Sequence, residues 1–156
     1  MILTVTGHRP NKIGGYNPNS PLRIKVRSAI YDFLVAHKPE LAISGMAIGV
    51  DQEFAVICDQ LQIPFIAAIP FAGQEKKWPQ EAQDHYNDLL TLAQEVTITS
   101  DGPYAAYKMQ KRNRWMVDKA TDVLAVWDGT TGGTANCVSY AEAINKPIHR
   151  INPLEL

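Results

Sequence analysis

Hydrophobic positions in this chain fall into short continuous runs, separated by longer stretches where they recur at helical spacing. The runs at 2–6, 41–44, 65–69, 96–99, 122–127 and 148–151 read as strands, because aliphatic and β-branched residues follow one another with little polar alternation. Between them, 22–37, 50–61, 80–94, 104–120 and 135–145 carry helix-forming composition. Ile24, Ile30, Phe33 and Leu34 mark the expected inner face of the first helix, and Leu89, Leu90 and Ala93 that of the third. Punctuation agrees with this division. Gly7 closes the first run, Pro70 the third, Asp101-Gly102-Pro103 forms a turn, and Asn145-Lys146-Pro147 breaks the last helix.

Strands that alternate with helices and read as buried runs argue for a parallel sheet covered on both faces. The expected fold is therefore α/β: a single Rossmann-like, doubly wound, mostly parallel sheet with helices on both faces, forming one domain over 1–156. Ligands of such folds bind beyond the carboxyl ends of the strands. The polar, glycine-bearing segments all follow strands: Thr6-Gly7-His8-Arg9, Ser44 to Asp51, Pro70 to Gln74, and Asp128 to Thr134. Four loops from one sheet edge can converge on one pocket.

Composition narrows the partners. With 156 residues, 46% hydrophobic, and a formal net charge of -1, the chain has a sizeable core and no global attraction for nucleic acid or an anionic membrane. No apolar run approaches the roughly 20 residues that span a bilayer, and the first residues read as a strand without a signal-peptide pattern; a cytoplasmic protein is expected. Cys58 and Cys137 belong to no CxxC pair, which argues against zinc or a disulfide framework.

The chemistry concentrates at the sheet edge. Thr131-Gly132-Gly133-Thr134 sits between a strand and a helix, where exposed N–H groups and the helix N-terminus favour a phosphate. It is neither GxGxxG nor a P-loop. His8 and Arg9 follow the first strand and can donate to phosphate oxygens. Asp51 opens a helix after Gly45 and Gly49; it reads either as first-turn stabilisation or as an acceptor for ribose hydroxyls. Asp128 reads either as a turn cap or as a site carboxylate. Within the basic stretch Lys108 to Arg114, Arg112 is the one chosen for the pocket, the rest being a solvated face. Trp78 and Tyr86 read as packing before base stacking, and Glu53 as helix surface. Nothing in the spacing of His8, Asp51 and Asp128 demands a metal, and neither metal nor cofactor is expected.

Taken in order, Thr6-Gly7-His8-Arg9-Pro10, Ile13-Gly14-Gly15, Ser44-Gly45 with Gly49-Val50-Asp51, Pro70-Phe71 with Gln74-Glu75-Lys76, Trp78, Tyr86, Arg112-Asn113-Arg114 with Asp118, Asp122 to Asp128 and the Gly-Gly-Thr turn resemble the YpsA-like branch of the SMF/DprA–LOG (SLOG) superfamily. That resemblance covers nearly the whole chain. It implies a Rossmann-like domain holding a nucleotide or nucleotide-derived ligand, and it points towards a homodimer or higher homo-oligomer. LOG phosphoribohydrolases carry a PGGxGTxxE motif whose glutamate supports cleavage of the N-glycosidic bond. Aligned on Gly133-Thr134, that glutamate falls on Cys137, and a thiol cannot steady an oxocarbenium ion as a carboxylate does.

Three functions therefore remain at this level. The first is a ligand-binding or sensor domain using Gly7, His8, Arg9, Gly45, Gly49, Asp51, Gln74, Arg112, Asp128, Thr131, Gly132, Gly133 and Thr134. The second is a nucleotide N-glycosidase with Asp51 or Asp128 as the catalytic carboxylate. The third is single-stranded DNA binding of the DprA kind, which the near-neutral charge disfavours.

Overall fold

The computed structural model describes residues 1–156. Six strands, β1 (Ile2–Gly7), β2 (Leu41–Ser44), β3 (Phe65–Ile69), β4 (Glu95–Ile98), β5 (Asp122–Val126) and β6 (Ile148–Ile151), alternate with five helices. These are α1 (Pro21–His37), α2 (Val50–Gln60), α3 (Gln80–Leu92), α4 (Ala106–Lys119) and α5 (Gly133–Ala143). The sheet runs β4-β3-β2-β1-β5-β6. Every neighbouring pair is parallel, so the expected mostly parallel sheet is parallel throughout.

The chain starts in the middle of the sheet, walks outwards to β4, then crosses back to lay β5 on the other side of β1. The order therefore reverses between β1 and β5, and their diverging carboxyl ends open a crevice. The register of Gly7 with Val126 carries that pair to the very edge, and the His8 N–H extends it by donating to the Val126 carbonyl at 3.2 Å.

Helices cover both faces. The larger core joins Leu3, Val5, Phe65 and Leu124 of the sheet to α1, α2 and α3; on the other face Ile43, Ile66 and Ala68 meet Met116 of α4, and Val123 meets Cys137 and Ala141 of α5. Leu3, Val5, Val123 and Leu124 are fully buried, each such side chain contributing about 1.5–3 kcal/mol by leaving water.

Three expectations need correction. The inner face of α1 is Val26, Ile30 and Leu34 at strict four-residue spacing, while Ile24 is 46% exposed on the opposite side. Strand β4 is not a covered run: as the sheet's edge it leaves Val96 and Ile98 about half exposed. Glu53, read as helix surface, is buried, because Arg23 and Arg27 reach it from α1 at 2.7 and 3.1 Å and compensate its charge.

Candidate functional site

A cavity of about 270 Å³ lies at the crevice between β1 and β5. Its walls come from Thr6 to Arg9 at the end of β1, Asn11 and Lys12 in the turn that follows, Ala47 and Asp51 at the start of α2, one stripe of α4, and Thr130 to Thr134 before and into α5. The sequence places glycines where those walls must close in. Gly49, with φ of +114°, lies so near the first loop that an added Cβ would stand 2.5 Å from the His8 carbonyl oxygen. Gly7 similarly admits Val50, so the N-terminus of α2 sits hard against β1.

Helix α4 supplies the deepest charge. Lys108 and Arg112, four apart and both buried, point the same way from different heights. Lys108 spends its ammonium on the carbonyls of Asp101 and Pro103, fastening the loop before its own helix. Arg112 crosses to the sheet edge, where Nη1 donates to the Gly45 carbonyl at 2.8 Å and the Ala68 carbonyl at 3.3 Å, and Nε donates to Asn113 Oδ1 at 3.0 Å. Its Nη2 makes no hydrogen bond within the chain, and the side chain lines the cavity. Burial depresses the guanidinium's pKa, with Asp51 acting against that. The solvated-face expectation thus fails for Lys108 and holds for Lys111 and Arg114, which are exposed.

Asp51 stands on the α2 wall. Oδ2 accepts the Ala47 N–H at 3.2 Å, and the backbone carbonyl accepts the Ser44 hydroxyl at 2.8 Å, so the carboxyl is held while Oδ1 has no partner in the chain. Burial pushes its pKa above the ordinary carboxylate value, opposed by Arg112, the Ala47 N–H and Arg9.

The α5 wall presents a helix start without a side-chain cap. Gly132, with φ of +142°, occupies the N-cap position and provides no side chain, so the N–H groups of the first turn have no capping partner. Asp128 does not line the cavity. It accepts the Thr130 hydroxyl at 2.5 Å and the Thr130 N–H at 3.0 Å, and His8 Nε2 lies 2.8 Å from the same oxygen and 3.0 Å from the Asp128 backbone nitrogen, its role as donor or acceptor set by the ring tautomer. Those donors, Thr130 first, hold its pKa well below the ordinary aspartate value. Its geometry is that of a turn brace.

Of the residues expected at the pocket, Gly7, His8, Arg9, Asp51, Arg112 and Thr131 to Thr134 share the cavity wall. Gly45 and Gly49 lie behind it, against Arg112 and the His8–Pro10 backbone respectively. Gln74 is one layer further back: its amide donates to the Gly45 carbonyl at 3.4 Å and to the Tyr86 hydroxyl at 3.1 Å. Trp78 and Tyr86 pack edge to face at 5.3 Å, outside the cavity. Asn11, Lys12, Met109, Asn113 and Met116 also line it. Met109, Arg112, Asn113 and Met116 follow i, i+3, i+4, i+7, a pattern present in the sequence. Lys12 had no such signal, since only the folded loop brings its Nζ to 3.3 Å from Thr130 Oγ1 and 4.0 Å from Asp128 Oδ2. Cys137 is buried on α5, its thiol pushed up to about 11 by burial, and it does not line the cavity.

A family model described as YspA SLOG family matches residues 3–156. The chain belongs to that family. Among its relatives, the uncharacterised SPbeta prophage-derived protein YoqJ of Bacillus subtilis is 29% identical over 151 residues, covering 85% of this chain and 88% of its own length. Two solved structures share the fold. DNA processing protein A (DprA) of Streptococcus pneumoniae superposes with a TM-score of 0.67 at 14% identity over 96% of this chain, which spans half of that one. A molybdenum cofactor binding protein of Rippkaea orientalis superposes with a TM-score of 0.62 at 15% identity, covering 98% of this chain and 78% of its own. In this SLOG-family protein no helix is long and apolar enough to cross a membrane.

Proposed function

We propose that this protein binds a phosphorylated, nucleotide-derived small molecule in the β1/β5 cavity. The observation that carries the reading is a convergence: Arg9, Lys12 and Arg112 face the uncapped first turn of α5 across one small cavity, with Asp51 on its side wall. Phosphate oxygens would take the N–H groups of Gly133 and Thr134 and the free Nη2 of Arg112, and Asp51 would accept a ribose hydroxyl. The neighbours' descriptions as DNA-processing and molybdenum-cofactor-binding proteins are compatible with a fold that holds phosphate-bearing ligands at this edge.

Thermal stabilisation by a panel of nucleoside monophosphates, ADP-ribose and NAD tests this, with chromatography of the same mixtures for released base. Binding without base release favours a sensor over an N-glycosidase; release would assign Asp51 the glycosidic role, since Asp128 is occupied by Thr130 and His8. Gly133→Glu should abolish the stabilisation, whereas Gly133→Ala should not disturb the fold, because an added Cβ meets nothing within 4 Å. A salt-sensitive shift with oligonucleotides would instead favour DNA binding.

The remaining expectations belong to the same reading. We infer a single ligand-binding domain over 1–156 that self-associates through part of its exposed apolar surface, which includes Val96 and Ile98. Sedimentation analysis measures that association. Two free cysteines fit the reducing conditions of the cytoplasm, where we place it.

A further inference from the structure

The cavity wall contains no phenylalanine, tyrosine or tryptophan. Its apolar residues are Val5, Ala47, Met109 and Met116, and the aromatic pair that could have stacked on a base, Trp78 and Tyr86, packs upon itself elsewhere. At about 270 Å³ the cavity also falls below the roughly 300–1,000 Å³ usual for drug-sized ligands, whose pockets are mostly apolar and aromatic. Most of the residues that line this one are polar. Arg9, Lys12 and Arg112 outnumber Asp51 and the Asp128 carboxylate that lies 4.0 Å from Lys12, so the cavity keeps a net positive charge that suits a phosphate group.

Beside this cationic end stands a second chemistry. Asp51 Oδ1 is an acceptor without a partner in the chain. Asn113 gives its Oδ1 to Arg112 Nε, which fixes the amide orientation and leaves Nδ2 as a donor without a partner. Each hydroxyl of a vicinal diol both donates and accepts, so a carboxylate acceptor on the α2 wall and an amide donor on the α4 wall of the same cavity suit two adjacent sugar hydroxyls.

We infer that the cavity recognises a pentose phosphate through its phosphate and its vicinal diol, with any base left outside the site and unread. This rests on the proposed phosphate-binding reading and sharpens it to a ligand class.

Isothermal titration of the full chain at fixed ionic strength tests it with five probes: ribose 5-phosphate, 2-deoxyribose 5-phosphate, AMP, adenosine and inorganic phosphate. Ribose 5-phosphate and AMP should bind within about tenfold of each other, and adenosine should give no heat. Removing the 2-hydroxyl should weaken binding about tenfold, the loss of one hydrogen bond. AMP binding more than about tenfold tighter than ribose 5-phosphate would show that the base is read and overturn the inference while leaving phosphate binding intact. Equal affinity for inorganic phosphate and ribose 5-phosphate, or for the ribose and deoxyribose esters, would overturn it by showing that the diol is not read. Failure of every phosphate-bearing probe to bind would overturn both readings.

Discussion

Gly45 and Arg112 are in contact twice over. The glycine's carbonyl accepts from Arg112 Nη1 at 2.8 Å, and a Cβ added to the same residue would stand 2.6 Å from that nitrogen and 3.0 Å from Asp51 Oδ2. The glycine that follows β2 therefore decides where the cavity's buried cation lies. Gly45→Ala must push the guanidinium off its two carbonyls, since the atoms in the way belong to a packed, hydrogen-bonded group. The expected outcome is a folded protein with ligand affinity reduced at least about tenfold, read by titration alongside circular dichroism.

Gly49→Ala should act differently. Here the obstacle is backbone, the His8 carbonyl at 2.5 Å, and the residue's φ of +114° is one that L side chains rarely adopt. The cost falls on the fold, about 3 kcal/mol or more, and appears as a lower urea midpoint even without ligand. A small stability change would mean that the first loop moves away freely.

Acid should unfold the protein partly through Glu53. Burial raises its pKa, but hydrogen bonds from Arg27 and Arg23 outweigh this and hold it below the ordinary value of 4.5. A carboxylate with a depressed folded-state pKa contributes stability above its unfolded pKa and loses it as pH falls through the folded one. Stability should accordingly decline below about pH 4.5, with Asp128, also depressed, adding to the decline at lower pH. Glu53→Gln should flatten part of that slope and cost about 3 kcal/mol at neutral pH, because Arg23 keeps its buried charge without its partner. Urea titrations at a series of pH values measure both.

Both thiols should be silent in the native protein. Cys58 and Cys137 are almost fully buried, and burial pushes them up to about 12 and about 11. Alkylation at pH 8 should be negligible until denaturant is added, when two thiols react. Rapid native labelling of Cys137 would show that α5 opens.

Removing the turn brace should loosen the α5 wall. Asp128→Ala deprives Thr130 of its acceptor for both N–H and hydroxyl and leaves His8 Nε2 without its carboxylate. About 1–2 kcal/mol of stability should be lost, together with ligand affinity, because the loop it shapes carries Thr131 to Thr134.

How much of this was legible beforehand depends on the range of the interaction. Strand runs and helical spacing reflect burial of neighbouring positions, so the alternation of elements, the parallel sheet and the edge at which the cavity opens could be read locally. The Gly-Gly-Thr turn belongs to the same class, since an uncapped helix start is a property of consecutive residues. So does the Met109, Arg112, Asn113, Met116 stripe, written in the chain at helical spacing. What sequence order could not assign was which charges compensate one another across the fold. Glu53 looks like a surface residue until α1 brings Arg23 and Arg27 to it; Lys12 looks like a loop lysine until the turn after β5 lies beside it. Asp51 and Asp128 have the same side chain and similar positions after a glycine turn or a strand. Tertiary structure separates them, leaving one oxygen of Asp51 free beside the cavity and tying Asp128 to Thr130 and His8. The chain itself determined the elements and the sheet edge, because burial pattern and turn chemistry are local. Only the folded structure decided which polar groups are already partnered and which remain unpaired at the cavity, because partners 26 to 120 residues apart meet only after the sheet has formed.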